Sequence, residues 1–112
     1  MELIEIDRAQ AVPVVVPRVR RLDASVAPAF KQAVLQVLGE DRRLVLDLSG
    51  VDFLDSSGLG ALVSILKALG TQGSLAVCGA TGSVLSLFKL TRMDKVFPIC
   101  SDRSEALARV GA

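Results

Sequence analysis

Apolar positions along the chain fall into two rhythms. Short continuous runs, of the kind that form strands buried on both faces, occur at Leu44–Leu48 and Leu75–Cys78. Between them stand stretches with apolar residues three and four apart, the period of an amphipathic helix. Phe30, Ala33, Val34, Val37 and Leu38 form one such face, and Leu59, Leu62, Val63, Leu66 and Leu69 a second. A third helix contains Val84, Leu87, Phe88 and Leu90, and a terminal helix follows with Leu107 and Val110 inward. Ahead of these, residues 2–6 predict a first strand and Val12–Val19 a second. Pro13 and Pro17 lie inside the second. Proline cannot donate to a ladder, so an edge, a bulge or a ragged start is expected there. Val96–Ile99 reads as a last short strand.

The boundaries carry their own signals. Asp23 and Ser25 are credible caps for a helix starting near Val26, with Pro28 in its first turn and Gly39 at its end. Thr81 is placed to cap the third helix. Asp102 and Glu105 have capping-box spacing before the fourth. The order is β-β-α-β-α-β-α-β-α. Single helices between strands imply right-handed crossovers and parallel pairing from the central strand on. The first two strands pair most simply antiparallel. The expected architecture is α/β: a mixed sheet of four to five strands packed with about four helices. A length of 112 residues points to one domain over 1–112.

Composition narrows the function. Apolar residues make up 51% of the chain, enough for a real core. The formal net charge of +1 and the four Phe, without Trp or Tyr, argue against a nucleic-acid platform. The absence of histidine excludes a Ser-His-Asp triad and any His-ligated metal site. Cys78 and Cys100 are too few for a thiolate zinc site and read as small core residues. Met1-Glu-Leu-Ile-Glu-Ile-Asp has no basic n-region, and no run approaches a membrane span. A cytoplasmic protein with reduced thiols, without a cofactor, is expected.

The candidate chemistry gathers at Leu44–Gly60. After the central strand and the Ser49-Gly50 turn comes Asp55-Ser56-Ser57-Gly58, where a loop becomes the first turn of a helix. The N–H groups of that turn have no intrahelical partner, and the helix dipole is positive there. Ser56 or Asp55 can cap them, and a phosphate on Ser56 would be stabilised by them. The plain reading of Asp55-Ser56 is an ordinary helix cap. Arg18, Arg20 and Arg21 read as a solvated strand end or a positive rim facing an acidic partner or a phosphate. Enzyme readings are weaker. Leu54-Asp-Ser56-Ser-Gly58 lacks the first glycine of a nucleophile elbow. Asp47 sits where a receiver's aspartyl acceptor would, but Glu40 and Asp41 precede a strand rather than follow one. Asp47 reads as a strand-end hydrogen-bond acceptor.

Over nearly its whole length the chain resembles a bare STAS domain of the bacterial anti-sigma factor antagonist family. The resemblance rests on Leu22-Asp-Ala-Ser25, on Leu44-Val-Leu-Asp-Leu-Ser-Gly-Val-Asp-Phe-Leu-Asp-Ser-Ser-Gly-Leu-Gly60, on Leu75-Ala-Val-Cys-Gly79 and on Leu90-Thr-Arg-Met-Asp-Lys-Val-Phe97. It implies partner switching. Unphosphorylated antagonist binds an anti-sigma factor, which is also a Ser kinase of the histidine-kinase-like ATPase fold, and so frees a sigma factor. The kinase phosphorylates the antagonist and loses it; a metal-dependent PPM-type phosphatase restores the binding form. The resemblance makes Ser56 the acceptor, puts Ser57 at the neighbouring Ser/Thr position, and matches Asp23 to the acidic residue beside the phosphosite. It implies a non-enzymatic protein, monomeric when free. Its partner surface comprises Asp23, Ser25, Asp55, Ser56, Ser57 and Gly58, tuned by Arg20 and Arg21. Two departures stand out: the family usually has Gly near Arg20, and the second-strand prolines are atypical. Some STAS domains carry the same turn without being switched, among them adaptor subunits of ABC-type lipid transport complexes. That is the alternative.

Overall fold

A computed structural model describes residues 2–111 of the chain. Seven strands and four helices alternate: β1 (Ile4–Asp7), β2 (Val14–Pro17), β3 (Arg21–Leu22), α1 (Ala27–Leu38), β4 (Arg43–Asp47), β5 (Phe53–Leu54), α2 (Ser56–Ala68), β6 (Ser74–Cys78), α3 (Gly82–Leu90), β7 (Ile99–Cys100) and α4 (Arg103–Arg109). A 3-10 turn at Met93–Lys95 joins α3 to β7. Five strands form one sheet in the order β1-β2-β4-β6-β7, and β3 and β5 form a separate pair. β1 is antiparallel to β2; all other pairings are parallel. The mixed five-stranded sheet and four helices agree with the sequence reading.

The continuous apolar runs are explained by cover on both faces. Side chains alternate along each strand. Leu44, Leu46, Leu75 and Val77 join a core with Phe30 and Val34 of α1, Leu62 and Ile65 of α2, and Val84 and Phe88 of α3. Val45, Ala76, Cys78 and Cys100 point the other way, against Ala106 and Val110. Among the described residues, α4 is the helix packed on that second face. No helix there is long and apolar enough to cross a membrane.

Several expectations are corrected. β2 is not at an edge: it lies between β1 and β4. Its prolines bracket it instead. Pro13 stands just before the first paired residue and lends its carbonyl to the Val45 N–H (3.0 Å). Pro17 ends the strand opposite Ile4. Pairing with β4 is confined to Val14 and Val15, so the ragged start is real. Neither Asp23 nor Ser25 caps α1. Val26 is the N-cap residue, without a side-chain bond. Thr81 holds the N-cap position of α3 but makes no capping bond. Leu90 lies in the third helix as read, and it is 82% exposed, off the buried stripe that Val84 and Phe88 define. Val96 belongs to no strand. Its N–H goes to the Met93 carbonyl (3.0 Å), which closes the 3-10 turn, and β7 begins only at Ile99.

Asp102 caps α4 through the Glu105 N–H (2.9 Å) as the box spacing predicts. Glu105 reaches back one residue further than expected, accepting from the Ser101 N–H (2.7 Å). One ionic link ties α4 to the sheet: Arg103 donates to Asp47 (2.8 Å) and to Asp7 (3.1 Å). Burial alone would raise the Asp47 carboxyl, but the bonds from Arg103 and Ser49 outweigh it and hold Asp47 below the usual 3.8. The folded state therefore binds this proton less tightly than the unfolded chain does. Its contribution to stability is complete above the unfolded value and is lost as pH falls through the lower, folded one. Replacing Arg103 by Ala is expected to cost about 1–2 kcal/mol at neutral pH. That is less than for a fully buried pair, because Arg103 is partly in water. It should also move the acid-side loss of stability to higher pH. Urea unfolding of both proteins across the acid range reads both effects.

Candidate functional site

The site is assembled by the shortest strands. β3 and β5 have two residues each, and they pair in parallel with Arg21 opposite Phe53 and Leu22 opposite Leu54. Leu22 and Leu54 are buried and fix the pair to the main core. Parallel pairing sends both chains out in the same direction. The Asp23–Ser25 turn and the Asp55–Gly58 turn therefore emerge side by side. Backbone bonds lock the junction: Asp52 N–H to the Arg20 carbonyl (2.7 Å) and Asp55 N–H to the Leu22 carbonyl (3.3 Å).

Asp55 is the N-cap of α2. Its backbone is extended, and its Oδ1 accepts from the Gly58 N–H at 2.9 Å. The Asp55 carbonyl takes the Leu59 N–H (2.9 Å). The cap is thus Asp55, not Ser56. Ser56 and Ser57 open the helix, both exposed. Their two N–H groups have no partner among the described residues, so the positive end of the helix is presented at these hydroxyls. Gly58 lies where α2 crosses β3. A Cβ there would overlap the Leu22 carbonyl oxygen and stand 2.6 Å from Leu54 Cδ1.

Across from this turn, Asp23 makes a local loop. Its Oδ1 accepts from the Ser25 N–H (3.1 Å) and hydroxyl (2.6 Å). Its backbone carbonyl, rather than its side chain, receives the Val26 and Ala27 N–H groups that begin α1. The Ser25 hydroxyl, together with its N–H and Arg21, holds the Asp23 carboxyl below the usual carboxylate range against a smaller desolvation effect. Arg21 has its guanidinium 4.1 Å from the centre of the Phe53 ring and 3.5 Å from Asp23. Arg20 places two nitrogens on Asp52, at 2.6 and 2.8 Å.

All eight residues singled out from the sequence fall in this one region. Asp52 and Phe53, which lie inside the Leu44–Gly60 stretch, were not singled out as partners of Arg20 and Arg21. Lys31 and Pro28 were missed too; with Ser57, Ala61 and Ser64 they line a shallow groove between α1 and α2. The Arg20–Asp52 pair joins residues 32 apart in the chain and left no signal in the sequence. Asp47 is not part of this region; it is buried and engaged by Arg103 and Ser49. Among the described residues no three His, Cys, Asp or Glu side chains are grouped to share a metal ion.

The arrangement presents a nucleophile-sized hydroxyl at a positive helix end, rimmed by fixed charges of both signs. Comparison with known proteins finds relatives of the fold as a whole. A family model described as the STAS domain matches residues 3–106. BtrV of Bordetella bronchiseptica is 34% identical over 74 residues, 65% of this chain and 64% of BtrV, so the match spans just under two thirds of that relative. The anti-sigma-B factor antagonist of Listeria monocytogenes is 35% identical over 81 residues, 70% of each chain. The crystal structure of an anti-sigma factor antagonist from Mycobacterium paratuberculosis superposes with a TM-score of 0.85 at 32% identity, covering 97% of this chain and 93% of that one.

Proposed function

The chain belongs to the STAS domain family, and from that premise we propose that it is an anti-sigma factor antagonist working in the cytoplasm by partner switching. The unphosphorylated form binds an anti-sigma factor that is also a Ser kinase, and a sigma factor is released. Phosphorylation at Ser56 ends that binding, and a PPM-type phosphatase reverses the modification. The domain spans the whole chain, is regulatory rather than catalytic, and needs no cofactor. Its partner surface is Asp23, Ser25 and Asp55–Gly58, with Arg20 and Arg21 setting the charge of the rim.

One observation carries the reading. Ser56 is the exposed first residue of α2, held beside the Asp23 turn by the β3–β5 pair. The hydroxyl is free to enter a kinase active site because Asp55 does the capping. A phosphate adds about −1.5 to −2 charges, and the helix end tolerates it. Asp23 and Asp55 make the modified surface strongly acidic, so an acidic partner surface is repelled, and an apolar one is disfavoured by desolvation of the phosphate, without unfolding the domain.

The test uses wild type and Ser56→Asp as baits in a source-cell extract, read by mass spectrometry. Capture of an ATPase-type Ser kinase by wild type alone is expected. That kinase should then label wild type and Ser57→Ala with phosphate but leave Ser56→Ala unlabelled. Equal capture of a transport ATPase by both baits would instead make the domain an adaptor and Ser56 merely the start of a helix.

A further inference from the structure

The groove between α1 and α2 carries one cation without a counter-charge. Ala27, Pro28 and Lys31 form one wall, and Ser57, Ala61 and Ser64 the other, around a volume of about 390 Å³. Over their whole lengths α1 and α2 hold no acidic residue; Lys31 and Lys67 are their charged side chains. Lys31 is half-buried and has no ion-pair partner among the described residues.

The charges around it are committed elsewhere or point away. At the head of the groove the Asp23 carboxylate takes the Ser25 hydroxyl and N–H and lies 3.5 Å from Arg21. Asp55 takes the Gly58 N–H. Glu2 and Glu5 lie beside Ala33, Gln36 and Val37, on the opposite side of α1 at 100° per residue. Arg8 and Asp41 pair with each other beyond the other end of α1. Lys67 stands in the last turn of α2, past the groove. On the far side of Ser56, Arg20 and Asp52 already neutralise each other.

We propose that Lys31 is a specificity-determining residue of the partner surface: the kinase that binds around Ser56 also covers this groove and sets a carboxylate on the Lys31 ammonium. The inference rests on the reading of Ser56 as the partner site. A specific interface of standard size uses about 20–30 residues a side, more than the cluster around Ser56 supplies. The groove is its continuation, because Ser57 belongs to both. In the free domain Lys31 packs its stem and keeps its head in water. Under a partner the ammonium loses that water, and a covered charge without a counter-ion is costly. A partner with an acid at this point avoids the cost; one with an apolar or basic residue there is rejected. Ser56 then governs when the domain binds, and Lys31 governs which kinase it accepts.

Calorimetric titration with the captured kinase, without ATP so that Ser56 stays unmodified, tests it. Lys31→Glu should weaken binding at least about thirtyfold, and Lys31→Met, which keeps the stem, about five- to tenfold. Both should melt like wild type, since the ammonium has no ion pair to lose in the free domain. Lys67→Glu, about 15 Å along α2 from Ser57, should bind within about threefold of wild type. Of the kinase's surface acids reversed singly to Lys, one should restore binding to Lys31→Glu at least about tenfold. If Lys31→Glu fails to fold, Lys31→Met decides: its affinity should fall less steeply than that of wild type between about 0.05 and about 0.3 M salt. Equal salt slopes overturn the proposal. So do a folded Lys31→Glu that binds like wild type, equal losses from Lys31→Glu and Lys67→Glu, and failure of every reversed acid to restore binding. A kinase that binds Ser56→Asp as tightly as wild type but loses Lys31→Glu overturns the switch and upholds this inference. Capture of no kinase by any bait overturns both.

Discussion

Gly58→Ala should destabilise the protein by about 3 kcal/mol, the upper part of the range for overpacking a tight contact. In an exposed helix the same change would be favourable by about 1 kcal/mol. Here the added methyl meets the Leu22 carbonyl oxygen, a backbone atom held by the β3–β5 pair, and stands 2.6 Å from Leu54 Cδ1. Leu54 can shift its terminal carbon; the Leu22 carbonyl cannot retreat without breaking its bond to the Asp55 N–H. Gly60→Ala is the control. It lies in the same helix with nothing within 4 Å of a Cβ, so it should stabilise by about 0.5–1 kcal/mol. Urea unfolding of the pair separates contact from helix propensity. Equal effects of the two substitutions would mean that α2 does not cross β3 at Gly58.

Ser56→Asp should weaken binding to the captured kinase by at least about a hundredfold, some 2.7 kcal/mol, while leaving the fold as stable as before. The two halves of this expectation have different origins. An acidic group in the first turn of a helix is favourable by about 0.3–1 kcal/mol, so the domain itself is not harmed. The partner instead meets a new negative charge beside Asp55 and Asp23, on a surface that must be desolvated for binding. Ser56→Ala removes an exposed hydroxyl that caps nothing, so it should bind within about threefold of wild type, a difference of well under 1 kcal/mol. Calorimetric titration and thermal melts on the three proteins read both halves. Tight binding by Ser56→Asp would sink the switch. Loss of binding together with a lowered melting temperature would show a folding defect instead.

Much of this architecture is legible in the sequence because the elements are long enough to show a period. Leu44–Leu48 and Leu75–Cys78 read as doubly buried strands, and both are. The faces at Phe30 and Val34, at Leu59 and Leu62, and at Val84 and Phe88 fall on the helices that carry them, although Ile65, which the second pattern passed over, is buried while Val63 and Leu66 are half-buried. What escaped is what has no period. β3 and β5 are two residues each, too short to alternate, yet their pairing brings the site together. Asp23 precedes a helix with the composition of a cap, but its carboxylate is taken by Ser25, and its backbone starts the helix instead. Leu90 continues an apolar rhythm in sequence while lying off the buried stripe in space. Local chemistry located Asp55 and Ser56; the contacts of Asp52 with Arg20 and of Phe53 with Arg21 join residues distant in the chain.

The β3–β5 ladder joins segments whose flanking partners, Arg20 and Asp52, are 32 residues apart. Two such short strands have no stability of their own. Their pairing depends on α1 and β4, which lie between them in the chain, folding the intervening segment onto the core. The surface around Ser56 is therefore complete only in the folded domain. A partner docking on that surface would count only folded molecules. The signal it receives would track the concentration of native protein rather than the amount synthesised.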